Sequence, residues 1–419
     1  EHAMDSNDAR RRLTGSPRLS QMNPLNRREF LRRMGYGALF VAGGPTLLAA
    51  CGDGGSDEAA GCTFDSTNTG DNKQINFANW PLYIDVLEDG WFETTSLADF
   101  EAETGIKVNY LEEVNDNDSW FGKVQGQMGT CANIERDIAV LTDWMAARFV
   151  RLGWAEEINK DNIPNFANLV DSLKSPGFDP DRTYTLPWQS GLTAIGYNPQ
   201  LTGRELTSIN DIFDPAFAGK VTLLTEMRDT LGLVMLGMGI DPANPSLDDA
   251  EAATDKIRQN VENGHIRRFT GNDYGEDLSA GNVVAAFAWS GDIIQLQIDN
   301  PDLRFVIPDE GLMLWSDNMI IPAGAANKDA AEQYMNSVYD PRVAAKIESW
   351  VNFICPVKGA QQAMRDLGAE IEDEDLVALA DDPLIFPDEA TLSKTHIFKN
   401  LNEEEERQFN DLFQAVIGA

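Results

Sequence analysis

The sequence predicts an α/β protein, because short apolar runs typical of buried strands alternate with stretches typical of helices. The first unit shows the pattern: an alternating run over 74–80, a helical stretch over 97–104 closed by Gly105, and a second strand over 106–110. Strand, helix and strand within this length predict a right-handed parallel unit. An open parallel sheet is therefore the expected framework.

The alternation continues to the end of the chain. A buried strand over 137–141 is followed by a helix over 144–152. We expect further strands at residues 194–197, 221–224, 283–289, 305–307 and 312–321. We expect further helices at residues 231–237, 247–263, 329–339, 341–349 and 403–416. The sequence contains no internal repeat and no Gly-x-Gly-x-x-Gly nucleotide fingerprint.

The charge balance excludes several classes of partner. The 419 residues include 68 acidic and 33 basic side chains, which gives a net charge of -35. Such a surface repels nucleic-acid phosphates and anionic lipid headgroups and favours a neutral or cationic ligand. The sequence has only 3 histidines, which argues against histidine metal centres and histidine-based catalytic triads. We expect no nucleic-acid partner, no metal, no cofactor and no catalytic residues.

The N-terminal segment has the features of an export address. A twin arginine, Arg27-Arg28, precedes an uncharged stretch over 34–50 that ends in Leu48-Ala49-Ala50-Cys51. This resembles a twin-arginine signal followed by a lipobox, in which the thiol of Cys51 receives diacylglycerol. A transmembrane helix is the alternative interpretation. It needs about 20 apolar residues, and this stretch is shorter and is interrupted by glycines and a proline. We expect residues 1–51 to be the signal region.

Residues 52–73 are rich in Gly, Asp, Ser, Thr and Asn and predict a flexible tether between the lipid and a globular domain. With Cys51 acylated, Cys62, Cys131 and Cys355 remain in an oxidising compartment. Three cysteines allow at most one disulfide, and the sequence does not say which pair forms it.

Aromatic and acidic side chains recur where the predicted strands end, which is where open parallel sheets bind ligands. Residues of this kind at or near the strand ends are Trp80, Thr142, Trp144, Glu226, Asp229, Trp289 and Asp292. In the last long strand, Trp315 and Asp317 are two residues apart and so share one face. That pair offers a π surface beside a carboxylate.

At these residues the chain resembles the bacterial spermidine/putrescine-binding proteins, the substrate-binding subunits of polyamine ABC importers. The similarity runs from about residue 74 to residue 419. The segments that carry it are Asn79-Trp80, FEAETGIKV at 100–108, DIAV at 137–140, YTLPW at 184–188, TAIGYN at 193–198, AWSGD at 288–292 and WSD at 315–317.

The resemblance implies a type II-like periplasmic-binding-protein fold, in which two α/β lobes close on a ligand in the cleft between them. Lobe one would comprise residues 74–193 and 317–361, and lobe two residues 194–316 and 362–419. It also implies a monomer on the periplasmic or outer side of the cytoplasmic membrane, with a polyamine as ligand and an ABC permease as partner.

In the family, aromatic rings sandwich the methylene chain of the ligand and carboxylates take its ammonium groups. The matching positions are Trp80, Thr142, Trp144, Glu226, Asp229, Trp289, Asp292, Trp315, Asp317 and Phe353. Three positions depart from the common pattern: Pro81 replaces a small hydroxyl residue, and Trp144 and Phe353 replace tyrosines.

The chemistry of a polyamine supports the same site. Its hydrocarbon chain needs apolar walls, and its positively charged ends need carboxylates and indole faces. Other interpretations stand beside it. Glu226 and Asp229 fit a helix N-terminus, and Trp80 and Trp289 fit a core. The alternative functions are a receptor for another small solute and a secreted hydrolase that uses Glu226 and Asp229 as acid and base.

Overall fold

The computed structural model describes residues 62–65, 67–87, 91–114, 116–297 and 300–418. The predicted signal region 1–51, with its lipidation site Cys51, lies outside these residues, as do residues 52–61 of the predicted tether. Within the described ranges, no helix combines the length and the apolar composition that a membrane span needs.

The predicted α/β class is confirmed, and the strands of the described residues form a single mixed sheet. They are β1 (Gln74–Asn79), β2 (Lys107–Glu112), β3 (Ile138–Thr142), β4 (Thr185–Tyr197), β5 (Val221–Leu224), β6 (Ile266–Thr270), β7 (Ala285–Trp289), β8 (Arg304–Val306), β9 (Leu312–Ile320) and β10 (Thr395–His396).

Helices cover both faces of the sheet. They are α1 (Ser96–Thr104), α2 (Asn117–Met128), α3 (Asp143–Arg151), α4 (Pro199–Thr202), α5 (Met227–Gly237), α6 (Leu247–Glu262), α7 (Tyr274–Ser279), α8 (Ser290–Gln297), α9 (Lys328–Val338), α10 (Pro341–Val351), α11 (Ala360–Glu370), α12 (Glu374–Leu379), α13 (Glu389–Leu392) and α14 (Glu403–Ile417). Short 3-10 helices span Lys160–Asn162, Pro164–Asn168, Asp171–Leu173, Ile209–Phe213 and Pro215–Phe217.

Capping side chains set where several of these helices begin. Thr95 accepts a hydrogen bond from the backbone N–H of Ala98 at the start of α1, and Gly105 ends that helix with φ 74°. Ser246 and Asp249 form a reciprocal capping box at the start of α6. Local capping residues therefore determine where these two helices begin, close to the bounds expected from the sequence, 97–104 and 247–263.

The sheet order, β2-β1-β3-β9-β4-β7-β5-β6, divides the molecule into two lobes. At one end β1 pairs in parallel with β2 and β3, and at the other end β5 pairs in parallel with β6 and β7. The predicted parallel unit β1-α1-β2 is thus confirmed. Between the two parallel groups run β4 and β9, which pair with each other in antiparallel fashion.

The long strands β4 and β9 pass from one lobe into the other. The first residues of β4, Thr185–Pro187, pair with the end of β9 beside β3, whereas Thr193–Tyr197 pair with β7. The register shifts between Pro187 and Gln189, at the crossing. A third crossing lies at Ile354, which exchanges backbone hydrogen bonds of 2.7 and 3.0 Å with Ser190. These three segments form the hinge.

Each lobe has its own apolar core. In lobe one, alternate residues of β1 point to opposite faces of the sheet, so that Phe77 joins one buried cluster and Ala78 the other. Lobe two has one large cluster around β5 and β7. A smaller cluster joins Leu192 and Leu312 of the crossing strands to Met364 of α11. Helix α11, expected in lobe two from residue 362, therefore packs at the junction of the lobes.

The described part of the predicted tether is not free of the domain. Cys62 forms a disulfide with Cys131 directly after α2 and its C-terminal turn. The backbone N–H of Asn68 donates to the carbonyl of Ala325 at 2.9 Å. These bonds offset the entropy of ordering a polar segment, so residues 62–65 and 67–73 lie against lobe one. Cys355 is a buried free thiol.

A ligand cleft between the lobes

A cleft of about 900 Å³ lies between the lobes at the carboxyl ends of the sheet strands. Trp80 follows β1, Thr142 ends β3, Glu226 follows β5 and Trp289 ends β7. Every residue that was predicted to bind the ligand lines this cleft. They are Trp80, Thr142, Trp144, Glu226, Asp229, Trp289, Asp292, Trp315, Asp317 and Phe353.

Asp317 is buried where β9 runs beside β3. One carboxylate oxygen accepts a hydrogen bond of 2.7 Å from the hydroxyl of Thr142, and the other accepts one of 3.0 Å from Tyr83. Burial raises the pKa of Asp317 to about 7, although both hydrogen bonds favour the charged form. Both donors are neutral, and no lysine, arginine or histidine of the described residues forms an ion pair with this carboxylate.

Asp229 links two tryptophans of the cleft. It accepts hydrogen bonds from the indole N–H of Trp289 at 2.8 Å and from the hydroxyl of Thr193 at 2.9 Å. The indole N–H of Trp315 in turn donates to the Thr193 hydroxyl at 3.1 Å. Burial raises the pKa of Asp229 to about 6. The network fixes both indoles relative to the carboxylate.

Asp292 lies in the first turn of α8. Its carboxylate accepts hydrogen bonds from the hydroxyl of Tyr274 at 2.6 Å and from the amide of Asn272 at 3.0 Å. Burial raises its pKa to about 6. The same tyrosine hydroxyl accepts the backbone N–H of Trp289 at 2.9 Å, which ties Asp292 to the end of β7.

Glu226 lies within ion-pair distance of a cation, Arg228, whereas Arg228 acts on Asp229 from farther away and offsets part of the rise in its pKa. Glu226 is the N-cap of α5 and accepts the backbone N–H of Arg228 at 3.3 Å, as the helix-terminus interpretation proposed. A guanidinium nitrogen of Arg228 lies 3.9 Å from its carboxylate. Burial raises the pKa of Glu226 to about 8, and Arg228 offsets part of that rise. Arg228 also covers the ring of Trp144, with its Cζ 4.0 Å from the ring centroid.

The aromatic walls depend on two glycines. A Cβ at Gly191 would lie 2.2 Å from Cζ2 of Trp315, its partner across β4 and β9. A Cβ at Gly291 would lie 2.8 Å from the ring of Phe353. The absent side chains leave room for both rings, whose centroids are 5.4 Å apart.

Trp80 serves both the core and the cleft. Its ring packs against the two apolar clusters of lobe one, and its indole N–H donates to the carbonyl of Val140 at 3.2 Å. It remains partly exposed at the cleft. Trp80 therefore packs against the core and also lines the cleft, and its contact with a ligand stays a prediction.

The sequence singled out Thr142 and Trp289, which donate to Asp317 and Asp229, but not the other side chains that hold the carboxylates. Tyr83, Thr193, Tyr274 and Asn272 each donate to an aspartate of the cleft. Thr193 lies in the TAIGYN segment, which is one of the segments that carry the family resemblance. The other three residues lie outside those segments. Among the residues that the structure describes, no cluster of three or more His, Cys, Asp or Glu side chains is arranged to hold a metal ion.

Residues 95–378, about two thirds of the chain, match the family described as bacterial extracellular solute-binding protein. The spermidine/putrescine-binding periplasmic protein of Salmonella typhimurium is 25% identical over 330 residues, which cover 78% of this chain and 87% of that protein. The putrescine-binding periplasmic protein PotF of Escherichia coli is 29% identical over 318 residues, which cover 70% of this chain and 80% of that protein.

Solved structures show the same fold. The substrate-binding protein PotD of a spermidine/putrescine ABC transporter from Streptococcus pneumoniae has a TM-score of 0.67 at 22% identity, covering 82% of this chain and 98% of that one. The TpPotD lipoprotein of Treponema pallidum has a TM-score of 0.69 at 17% identity, covering 83% and 100%. Two α/β lobes, a hinge of three crossings and one cleft between them agree with the sequence match: the chain belongs to the bacterial extracellular solute-binding proteins.

Proposed function

We propose that this protein captures a polyamine in the cleft between its lobes and delivers it to the permease of an ABC importer. The ligand is a flexible hydrocarbon with two or more ammonium groups. In this proposal the ten cleft residues predicted from the sequence contact the ligand. Residues 74–193 and 317–361 act as one closing body, and residues 194–316 and 362–419 act as the other.

The observation that carries the proposal is the state of three cleft aspartates, of which Asp229 and Asp317 are buried and Asp292 is partly exposed. Asp229, Asp292 and Asp317 each accept two hydrogen bonds from neutral donors. Within the described ranges, no lysine, arginine or histidine forms an ion pair with any of them. A carboxylate held in this way in an apolar cleft is stabilised strongly by an ammonium group that completes its coordination.

The placement of these charges also favours a ligand that bridges the lobes. Asp317 belongs to the end of β9 that pairs with lobe one, whereas Asp229 and Asp292 lie on helices of lobe two. Trp315 and Phe353 line the space near the hinge between these groups. Methylene groups between two ammonium ends suit such aromatic walls.

The relatives support the same ligand class, since their names specify spermidine and putrescine. A receptor for a different organic cation is the nearest alternative. The hydrolase alternative has less support because the family is one of solute-binding proteins. Burial raises the pKa of Glu226 to about 8 and of Asp229 to about 6 because it disfavours their charged forms, and a bound cation would offset that cost for either carboxylate.

Calorimetric titration tests the proposal. Ligand-free protein is titrated with putrescine, cadaverine, spermidine and γ-aminobutyrate, and native mass spectrometry identifies any ligand that survives purification. We expect at least one polyamine to bind and γ-aminobutyrate to bind more weakly, because its carboxylate would meet the aspartates. Absence of binding by all three polyamines, or turnover of chromogenic glycosides or esters, would contradict the proposal.

We further propose that Cys51 carries the lipid anchor after twin-arginine export, and that the protein acts as a monomer at the outer face of the cytoplasmic membrane. The lipobox and the paired arginines support this. A Cys51→Ser variant should appear in the soluble extracytoplasmic fraction or remain unprocessed. Membrane retention of that variant at mature size would show that another feature anchors the protein.

A further inference from the structure

Glu406 of α14 is nearly buried and is surrounded by three arginines that come from both lobes. From lobe two, Arg228 donates to its carboxylate at 2.8 Å. From α3 of lobe one, guanidinium nitrogens of Arg148 and Arg151 lie 3.4 and 3.9 Å from the other oxygen. Glu406 keeps 6% of its side-chain surface exposed, so water screens these charges weakly.

A second contact joins the lobes at the same place. Trp144, on α3 of lobe one, stacks under the guanidinium of Arg228, which belongs to α5 of lobe two. Trp144 and Arg228 both line the ligand cleft. Arg228 therefore lies between an indole of one lobe and a carboxylate of the other. A third interlobe pair, Arg151 with Glu403 at 3.0 Å, extends the contact outward.

None of these contacts belongs to the hinge. The hinge crosses at β4, β9 and Ile354, whereas α3 and α14 pack on the cores of opposite lobes. If the lobes open about the hinge, the contacts between them would break while each lobe keeps its own core. A network of this kind stabilises the closed arrangement and contributes nothing to the open one.

We propose that Arg228 and Glu406 are positioning residues that hold the lobes together across the cleft, with Arg148 and Arg151 as the partners from lobe one. We call these four side chains the interlobe clamp. The clamp acts on ligand binding by raising the closed population, which slows the escape of a bound ligand. Its effect on affinity rests on the proposed function, but its effect on lobe closure does not.

The experiment measures closure directly. Spin labels at Lys123 on α2 and Gln259 on α6, both exposed on different lobes, report the interlobe distance with and without putrescine. The clamp is weakened by Glu406→Gln from lobe two, and independently by Arg148→Gln with Arg151→Gln from lobe one. The matched control is Glu404→Gln, which removes an exposed carboxylate of the same helix that pairs within α14.

We expect both clamp variants to reduce the fraction of short distances and the control to leave it unchanged. Stopped-flow tryptophan fluorescence should show putrescine leaving about tenfold faster, with the association rate changed by less than about threefold. Equal distance distributions for wild type and both clamp variants, with and without putrescine, would overturn the clamp. If putrescine does not bind but the ligand-free closed fraction falls, the clamp stands and the polyamine proposal fails.

Discussion

At the scale of single residues, the chemistry of the cleft depends on carboxylates that are buried without a cation. Asp317 shows this most clearly, since Thr142 and Tyr83 donate to it and both are neutral. Asp317→Asn keeps the shape and removes the charge that an ammonium would pair with. We expect polyamine binding to weaken by about 2 to 5 kcal/mol, because the ligand cation is then left unpaired in a closed cleft.

Calorimetric titration of putrescine and spermidine into wild type and Asp317→Asn measures this loss. Asp302→Asn is the matched control, because Asp302 is exposed in a turn away from the cleft. It should change affinity by about 0 to 1 kcal/mol. If wild type binds a polyamine and Asp317→Asn binds it within twofold of wild type, Asp317 does not pair with the ligand.

The same carboxylates predict a pH dependence of binding. The pKa is about 7 for Asp317 and about 6 for Asp229 and Asp292, because burial disfavours the charged form. A bound ammonium stabilises the carboxylate and lowers these pKa values, so binding below pH 7 must expel protons. We expect polyamine affinity to fall as the pH decreases from 8 to 5, with a shallower fall in Asp317→Asn.

The contribution of these three aspartates to the stability of the ligand-free protein should change in the opposite direction. The folded pKa values exceed the unfolded value of about 3.9, so the folded state binds more protons than the unfolded state between about pH 4 and pH 7. The contribution of these groups to the free energy of unfolding therefore rises as the pH falls from 8 to 5. Calorimetric titrations at pH 8, 6.5 and 5 check the trend in affinity, and calorimetric scans at the same pH values check the trend in stability. An affinity that does not vary with pH would contradict the raised pKa values on which both trends depend.

The types of residue at particular positions of the sequence predicted most of the side chains that line the cleft. Carboxylates and indoles at or near the ends of buried strands are visible in the sequence, whereas Phe353 came only from the resemblance, and all ten predicted positions line the cleft. The donors Thr142 and Trp289 were among the predicted residues, but Tyr274 and Asn272 were not, because they reach Asp292 from a different part of the chain. The contact of Arg228 with Trp144 was equally hidden, since it depends on how the lobes meet.

At the scale of elements, β4 differs most from expectation. Only residues 194–197 were predicted as a strand, yet the strand spans Thr185–Tyr197. All of its residues are buried, so polar and apolar positions do not alternate, and Pro187 and Gly191 resemble a loop. Helix α2 was missed for a related reason, because Gly122 and Gly126 interrupt its pattern.

Gly191 makes β4 part of the binding site as well as of the hinge. In Gly191→Ala the new Cβ would overlap the ring of Trp315, whose N–H bonds to Thr193. We expect the free energy of unfolding to fall by about 1 to 3 kcal/mol. We also expect polyamine affinity to fall, because the indole must move off its hydrogen bond.

Urea unfolding and calorimetric titration compare this variant with Gly126→Ala. A Cβ at Gly126 meets no atom within 4 Å, and the residue lies in the interior of α2. That control should gain about 0.5 to 1 kcal/mol of stability and keep its affinity. If the two variants behave alike, the close approach of Trp315 to β4 does not position the indole.

At the scale of the whole molecule, the two lobes are separate cores joined by three narrow crossings. Among the described residues, the junction cluster around Leu192 and Leu312 ties the lobes together, and Trp289 packs against the cores of both lobes. The alternation of strands and helices predicted the α/β class, and the resemblance predicted two lobes. The long-range pairing of β4 with β9 could not be read from local patterns, because it joins residues more than a hundred positions apart.

The arrangement predicts that a ligand closes the molecule. Asp317 faces the cleft from lobe one and Asp229 and Asp292 from lobe two, so a ligand with two ammonium ends reaches its full set of contacts only when the lobes approach. Ligand can favour closure only through this difference in affinity between the open and closed states. We therefore expect small-angle X-ray scattering to show a smaller radius of gyration with saturating polyamine than without it. Asp317→Asn at the same ligand concentration should keep the larger value, since one anchoring charge is missing. An unchanged scattering profile of the wild type at saturation proven by calorimetry would rule out closure as the means of capture.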